Sequence, residues 1–199
     1  MGIVSVTPDP NWPSASSLLS SFPIANRRNA GLLGIPTFAT SVTARSTLSA
    51  PAAIRLALER YSTWSYSDQV DLAEVLCLVD YGDVRDPDGD GGAQRVADSL
   101  AGMDPSLELR IILGGDNAAT WHALRALASD DLSQWGLITL DAHHDLRDGR
   151  SNGSPVRQLL DEGLDARHVV QVGLADFSNS AHYASVAHDA GVTVISRDS

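Results

Sequence analysis

Six short apolar runs, at 30–35, 75–79, 111–113, 137–140, 169–172 and 192–195, recur along the chain with helix-period segments between most of them. No other feature constrains the fold as much. Each run has the length of a strand buried on both faces. The intervening segments repeat apolar residues at one-face helical spacing: Ile54, Ala57, Leu58 and Tyr61; then Trp121, Leu124 and Ala128; then Tyr183, Val186, Ala187 and Ala190. Pro51 suits a first helical position, as does Pro155 with Ser154 as its cap. Alternation of this kind predicts an α/β fold of three layers, α/β/α, with a mainly parallel central sheet and helices on both faces. Ligands in such folds gather at the carboxyl ends of strands.

Residues 1–29 carry Pro8, Pro10, Pro13, Pro23 and several serines without periodicity, and are expected to form an irregular N-terminal arm. Residues 30–199 are expected to form one domain, since 199 residues bury a single sizeable core. Fourteen basic against 25 acidic residues give a net charge of −11, which opposes nucleic acid and anionic membranes as partners. Every basic residue is Arg, so Schiff-base chemistry, a Lys general base and a phosphate-loop Lys are excluded. No stretch has the length of a membrane span and no leader pattern opens the chain, so a cytoplasmic location is expected. Cys77 is the only cysteine and lies in an apolar run, which suits a buried strand better than a nucleophile.

The densest group of candidate ligands follows the run at 137–140: Asp141, Ala142, His143, His144, Asp145. On an extended backbone, Asp141, His143 and Asp145 would project to one side. Two carboxylates and an imidazole without thiolate suit a divalent ion such as manganese. The bland alternative is a polar strand end whose carboxylates cap a helix. After the run at 111–113 comes Gly114, Gly115, Asp116, Asn117, where glycines permit a tight turn before a helix.

Together these two strand ends resemble the ureohydrolase family of arginases, agmatinases and formimidoylglutamases, in which Gly-Gly-Asp-His and Asp-Ala-His-x-Asp jointly hold a binuclear manganese centre. Residues 31–36, 51–60, 79–84 and 169–173 look like the same family, so the resemblance covers about residue 30 to the end. It implies that Asp141 bridges two Mn2+ ions, that His143 and Asp145 each bind one, and that Asp145 also moves a proton in catalysis. It implies hydrolysis of a carbon–nitrogen bond in a linear amidine or guanidine, on a small-molecule substrate and in a homo-oligomer. Asn117 departs from the pattern, standing where the family has a histidine ligand. His122 and His144 are poor substitutes by position. The family's third motif, Ser-x-Asp-x-Asp-x-x-Asp-Pro, does not occur before Ser199. The expectation is therefore a truncated chain or a degenerate relative, with weak or single-site manganese binding and little hydrolysis on its own.

Substrate class is read from Ser151, Asn152, Gly153, Ser154 and Pro155. Arginases and agmatinases place a histidine before this glycine, whereas formimidoylglutamases place a small polar residue there. Asn152 and Gly153 are thus the expected substrate-binding residues, and formimidoylglutamate, yielding glutamate and formamide, is the expected substrate. Arg147, Arg150 and Arg157 are candidate partners for its carboxylates. Other readings stay open: an agmatinase-like or arginase-like hydrolase, an inactive binding protein that keeps the fold, or a serine hydrolase using Ser151 in a Gly-x-Ser-x-Gly elbow. Asp86, Asp88, Asp90 and Gly91 resemble the start of a calcium loop, but Ala97 stands where a bidentate Glu is required, so a flexible acidic turn is expected.

Overall fold

The computed structural model of the protein describes residues 9–42, 48–129 and 131–198. Its architecture is α/β with parallel sheets, as the alternation predicts. The strands are β1 (Leu19–Ser20), β2 (Arg28–Ile35), β3 (Trp64–Ser65), β4 (Val70–Asp71), β5 (Leu76–Asp83), β6 (Leu109–Gly114), β7 (Leu137–Leu140), β8 (Val169–Leu174) and β9 (Thr193–Ser196). The helices are α1 (Ala50–Ala57), α2 (Leu72–Val75), α3 (Gly92–Ala101), α4 (Ala118–Ala128), α5 (Pro155–Asp161) and α6 (Ala181–Ala190).

In place of one central sheet, hydrogen bonding among the described residues gives two parallel sheets, ordered β1-β5-β2-β6 and β7-β8-β9, and a small antiparallel pair, β3 with β4. The first sheet is covered on both faces. Leu33, Ile35, Cys77 and Val79 pack against Val96 and Leu100 of α3 and Ala119 of α4. On the opposite face, Ala30 and Leu78 meet Ala15, Leu18, Leu58 and Leu72. The second sheet buries Val169 against Val156 and Leu159 of α5, Ala187 of α6 and Ala128 of α4. Burial of the Val, Leu and Ile side chains among these, each contributing roughly 1.5–3 kcal/mol, is what holds the strand ends in place.

The N-terminal arm differs from expectation. Its residues 1–8 lie outside the described residues, but a 3-10 turn at Ala15–Leu18 and strand β1 are ordered within it. The reason is that Ala15 and Leu18 are buried and Leu19 and Ser20 pair in parallel with Leu78 and Val79. Ser154 precedes α5 without capping it: its hydroxyl accepts from Ser151 N at 2.8 Å and Gln158 Nε2 at 3.2 Å instead. The acidic segment 86–91 is clamped rather than loose. The Arg95 guanidinium donates to the carbonyls of Arg85, Asp86 and Asp90, so a fixed cation already serves this turn, while Asp88 Oδ2 accepts from Phe38 N and Ala39 N.

One glycine decides how β6 meets the rest of the sheet. A Cβ on Gly115 would lie 2.1 Å from the carbonyl oxygen of Thr37, and backbone cannot rotate away as a side chain can. Gly115→Ala is therefore expected to destabilise the fold by about 1–3 kcal/mol, as overpacking does. Denaturant unfolding checks this, and an unchanged midpoint would show that the segment at 36–37 yields freely.

Candidate metal and substrate site

The site forms where β6, β7 and β8 end. After Leu140 the chain is tied once more to β8 by Asp141 N donating to Val172 O at 3.1 Å, and then bends. The Asp141 carboxylate accepts from His143 N at 2.8 Å and stands 3.0 Å from His143 Nδ1, an Asx-type turn that brings the two side chains together. Asp145 adopts a left-handed φ of 54°. The extended backbone expected for 141–145 is thus absent, and alternation is not what groups these residues. A local turn and a left-handed residue do so.

Asp141, His143 and Asp145 nevertheless line one cleft of about 630 Å³ with Asn117, Arg147, Asn152 and Gly153. Asp145 is only 7% exposed and accepts from Asn117 Nδ2 at 2.7 Å. Burial first, and the neighbouring Asp141 charge second, push its carboxyl up to about 6, against the pull of the Asn117 hydrogen bond. Among the described residues no three His, Cys, Asp or Glu side chains are gathered into a closed metal cage. The donors are instead paired off, Asp141 with His143 and Asp145 with Asn117. Their chemistry still fits a divalent cation: two carboxylates repel one another beside an imidazole, and a hard or borderline ion would relieve that repulsion.

Two groups behind the loop went unread in the sequence. Gln171, fully buried in β8, places its Oε1 2.7 Å from His144 Nδ1 and donates from Nε2 to His144 O at 2.8 Å. Asn179 accepts from His144 N and donates to Ala142 O. A glutamine inside the apolar run at 169–172 was the available signal, since a buried amide must find partners. His144 is accordingly buried at 6% exposure in the wall of the same cleft, with its Nδ1 engaged by Gln171. His122 lines a separate depression with Asp88, Arg150 and Ser151.

The other arginines separate clearly. Arg157 is committed to Leu146 O and Asp148, and Arg150 lies over the Trp121 ring near Glu162. Arg147 lines the cleft, where its charge favours the ionised form of Asp145, and it forms no ion pair among the described residues. The elbow reading of Ser151 fails on geometry: bends precede it instead of a strand, and its hydroxyl meets Ser154 and Gly153 N but no histidine.

The family model described as Arginase family matches residues 28–199. A formimidoylglutamase of Halalkalibacterium halodurans is 37% identical over 173 residues, 82% of this chain and 54% of its own. One from Halobacterium salinarum is 32% identical over 180 residues, 87% of this chain and 57% of its own. The crystal structure of formimidoylglutamase from Bacillus subtilis superposes with a TM-score of 0.80 at 27% identity, covering 98% of this chain and 63% of that one. A Trypanosoma cruzi formiminoglutamase solved with Mn2+ has a TM-score of 0.77 at 24% identity, a likeness of fold. The chain thus spans about half the length of the curated relatives it matches.

The environment of Asp145 has a measurable consequence. Because its folded pKa is raised, the folded state holds the extra proton more tightly than the unfolded state between roughly pH 4 and 6, so its contribution to stability falls as pH rises through that window. In chelator, Asp145→Asn is expected to match the wild type near pH 4 and exceed it at pH 7 by on the order of 2 kcal/mol. Thermal unfolding across pH measures it; a difference that does not change with pH would show that the carboxylate is not buried in solution.

Proposed function

The chain belongs to the arginase family, and from that premise we propose that its cleft hydrolyses a carbon–nitrogen bond in a linear amidine, with formimidoylglutamate as substrate. The observation that carries the reading is one cleft holding a carboxylate–imidazole donor set, the unpaired Arg147 cation, and the uncharged Asn152 and Gly153. The relatives that bear the name formimidoylglutamase support it.

In this proposal Asp141, His143 and Asp145 hold Mn2+, and Asn117 fixes the Asp145 carboxylate by its hydrogen bond. Manganese, when bound, supplies Lewis-acid charge that lowers the pKa of water from about 15.7 towards neutrality. Arg147 receives a carboxylate of the glutamate portion in a charge-assisted pair. Asn152, whose backbone N–H is anchored on Thr40 Oγ1 at 2.8 Å, offers an amide to the amidine end. Water oxygen bonds to the amidine carbon as the bond to the glutamate nitrogen breaks. Asp145 takes the proton from that water and returns it to the leaving amine, so formamide and glutamate result.

Arg147 also separates this reading from the guanidino hydrolases of the family. Agmatine carries a cationic tail, and a free guanidinium in the cleft repels it.

With manganese, the protein expressed from its full reading frame should release formamide from formimidoylglutamate and leave agmatine and arginine nearly untouched. Chelator should abolish turnover. Arg147→Ala should raise KM about 10- to 100-fold with little change in kcat, the loss of a charged hydrogen bond worth roughly 1.5–3 kcal/mol. Turnover that survives chelation would remove the metal from the proposal; preference for agmatine or arginine would remove the substrate. In calorimetry, Asp141→Ala should eliminate manganese binding, and retained affinity would displace Asp141 from the ligand set.

A further inference from the structure

Most polar side chains lining the cleft already have partners. Asn117 and Asp145 hold each other, Asp141 holds His143, and His144 is engaged by Gln171. Asn179 is spent on the backbone of Ala142 and His144. The lining side chains whose donors remain uncommitted are Arg147, Asn152, Ser178, Ser180 and Tyr183.

Tyr183 differs from the rest in how it is held. It stands in the first turn of α6, and its ring packs against the apolar core of the second sheet. Its phenol oxygen accepts from Asp148 N at 3.3 Å. A backbone N–H can only donate, so the hydroxyl proton is not used in that bond, and no described residue accepts it. A tyrosine anchored through its ring and a lone pair thus lines the cleft with an O–H that has no acceptor in the fold.

The residue before Asp148 is the cation of the cleft. Arg147 is seated by Gly153 in two ways: Arg147 N donates to Gly153 O at 3.1 Å, and a Cβ on Gly153 would stand 2.9 Å from Arg147 Cδ. One charged and one neutral donor therefore meet at Asp148, and each is held before any ligand arrives. Such donors suit anionic oxygens, and fixing them in advance lowers the ordering cost of binding.

Formimidoylglutamate carries two carboxylates, and among the described residues the cleft offers one arginine for them. We infer that Tyr183 is a specificity-determining residue: its phenol O–H donates to the carboxylate that Arg147 does not hold. The assignment deepens the substrate reading above and rests on it. Ser178 and Ser180 are exposed hydroxyls free to rotate, and Asn152 is given to the amidine end, so the fixed phenol is the donor left for this task. The consequence is a filter on substrate charge. An amidine with a single carboxylate leaves either the guanidinium or the phenol without its acceptor, and a desolvated donor without an acceptor costs binding.

Tyr183→Phe keeps the ring in the core and removes only the hydroxyl, so the variant should unfold at the wild-type temperature. The protein expressed from its full reading frame, with manganese, is assayed on formimidoylglutamate and on two analogues. N-formimidoyl-γ-aminobutyrate lacks the carboxylate next to the nitrogen, and N-formimidoyl-α-aminobutyrate lacks the distal one. On formimidoylglutamate, Tyr183→Phe should raise KM about tenfold or more with kcat little changed, as loss of a hydrogen bond to a charged group does. The penalty should vanish with one analogue and persist with the other, and Arg147→Ala should show the opposite pattern. A tie between α6 and the loop, with no role in binding, would carry the same penalty on all three substrates, and that result overturns the inference. So does an unchanged KM on formimidoylglutamate, and so does a pattern in which both variants ignore the same missing carboxylate, which places Tyr183 and Arg147 on one group. Failure of the substrate reading itself is seen separately, as a wild-type protein that does not hydrolyse formimidoylglutamate, and it takes the inference with it.

Discussion

The hydrogen bond from Asn117 to Asp145, at 2.7 Å, is the interaction on which the site's geometry depends. It spans the gap between two sheets that share no strand pairing, and it does so at their carboxyl ends, where the cleft opens. Burial at 7% exposure makes the bond matter more than its length suggests, because a carboxylate shielded from water has few other ways to be solvated. The same bond sets the charge of the site. It favours the ionised carboxylate, while burial and the Asp141 charge oppose it and push the carboxyl up to about 6.

A single bond between two loops would not hold a cleft, and the structure reinforces it from beneath. Gln171 reaches out of β8 to both ends of His144, Asn179 binds backbone on either side of His143, and Arg157 fastens Leu146 to α5. Each connection draws on a side chain from a rigid strand or helix, or from the loop directly after one. The segment from Asp141 to Arg147 therefore needs no regular secondary structure of its own. It is positioned by the packed core of the second sheet, through polar groups that are themselves paired.

The sequence made the strands and most helices legible because they are repetitive. Periodicity located all six long strands to within a few residues at each end, since burial on both faces demands uninterrupted apolar side chains. It missed β1, β3 and β4, which are two residues long and defined by pairing alone, and α3, whose apolar positions are diluted by small and charged residues. The candidate ligands were legible as a cluster, but the reason for their convergence was not. Alternation along an extended strand predicts the right side by the wrong backbone, because a left-handed Asp145 and an Asx turn at Asp141 are set by tertiary contacts. The separation into two sheets leaves no mark in a linear pattern. Strand order is a property of which edges meet.

In the proposed site, Asn117 shows most clearly how an amide at the position where the resemblance expects a histidine can be absorbed. An amide has one acceptor and one donor end, and both are engaged: Oδ1 accepts from Thr120 Oγ1 at 2.8 Å while Nδ2 serves Asp145. An imidazole at this point would present a lone pair to a metal, at the cost of its own desolvation. The amide gives up that role and spends its donor on the carboxylate. Charge held at the site then falls mainly to Asp141, His143 and Asp145, and the residue in the ligand's place acts by orienting one of them. Any cation bound here would therefore compete with Asn117 for the same oxygen of Asp145, or take the other one. The strength of that competition, more than the number of donors, sets how firmly this half of the site can hold an ion.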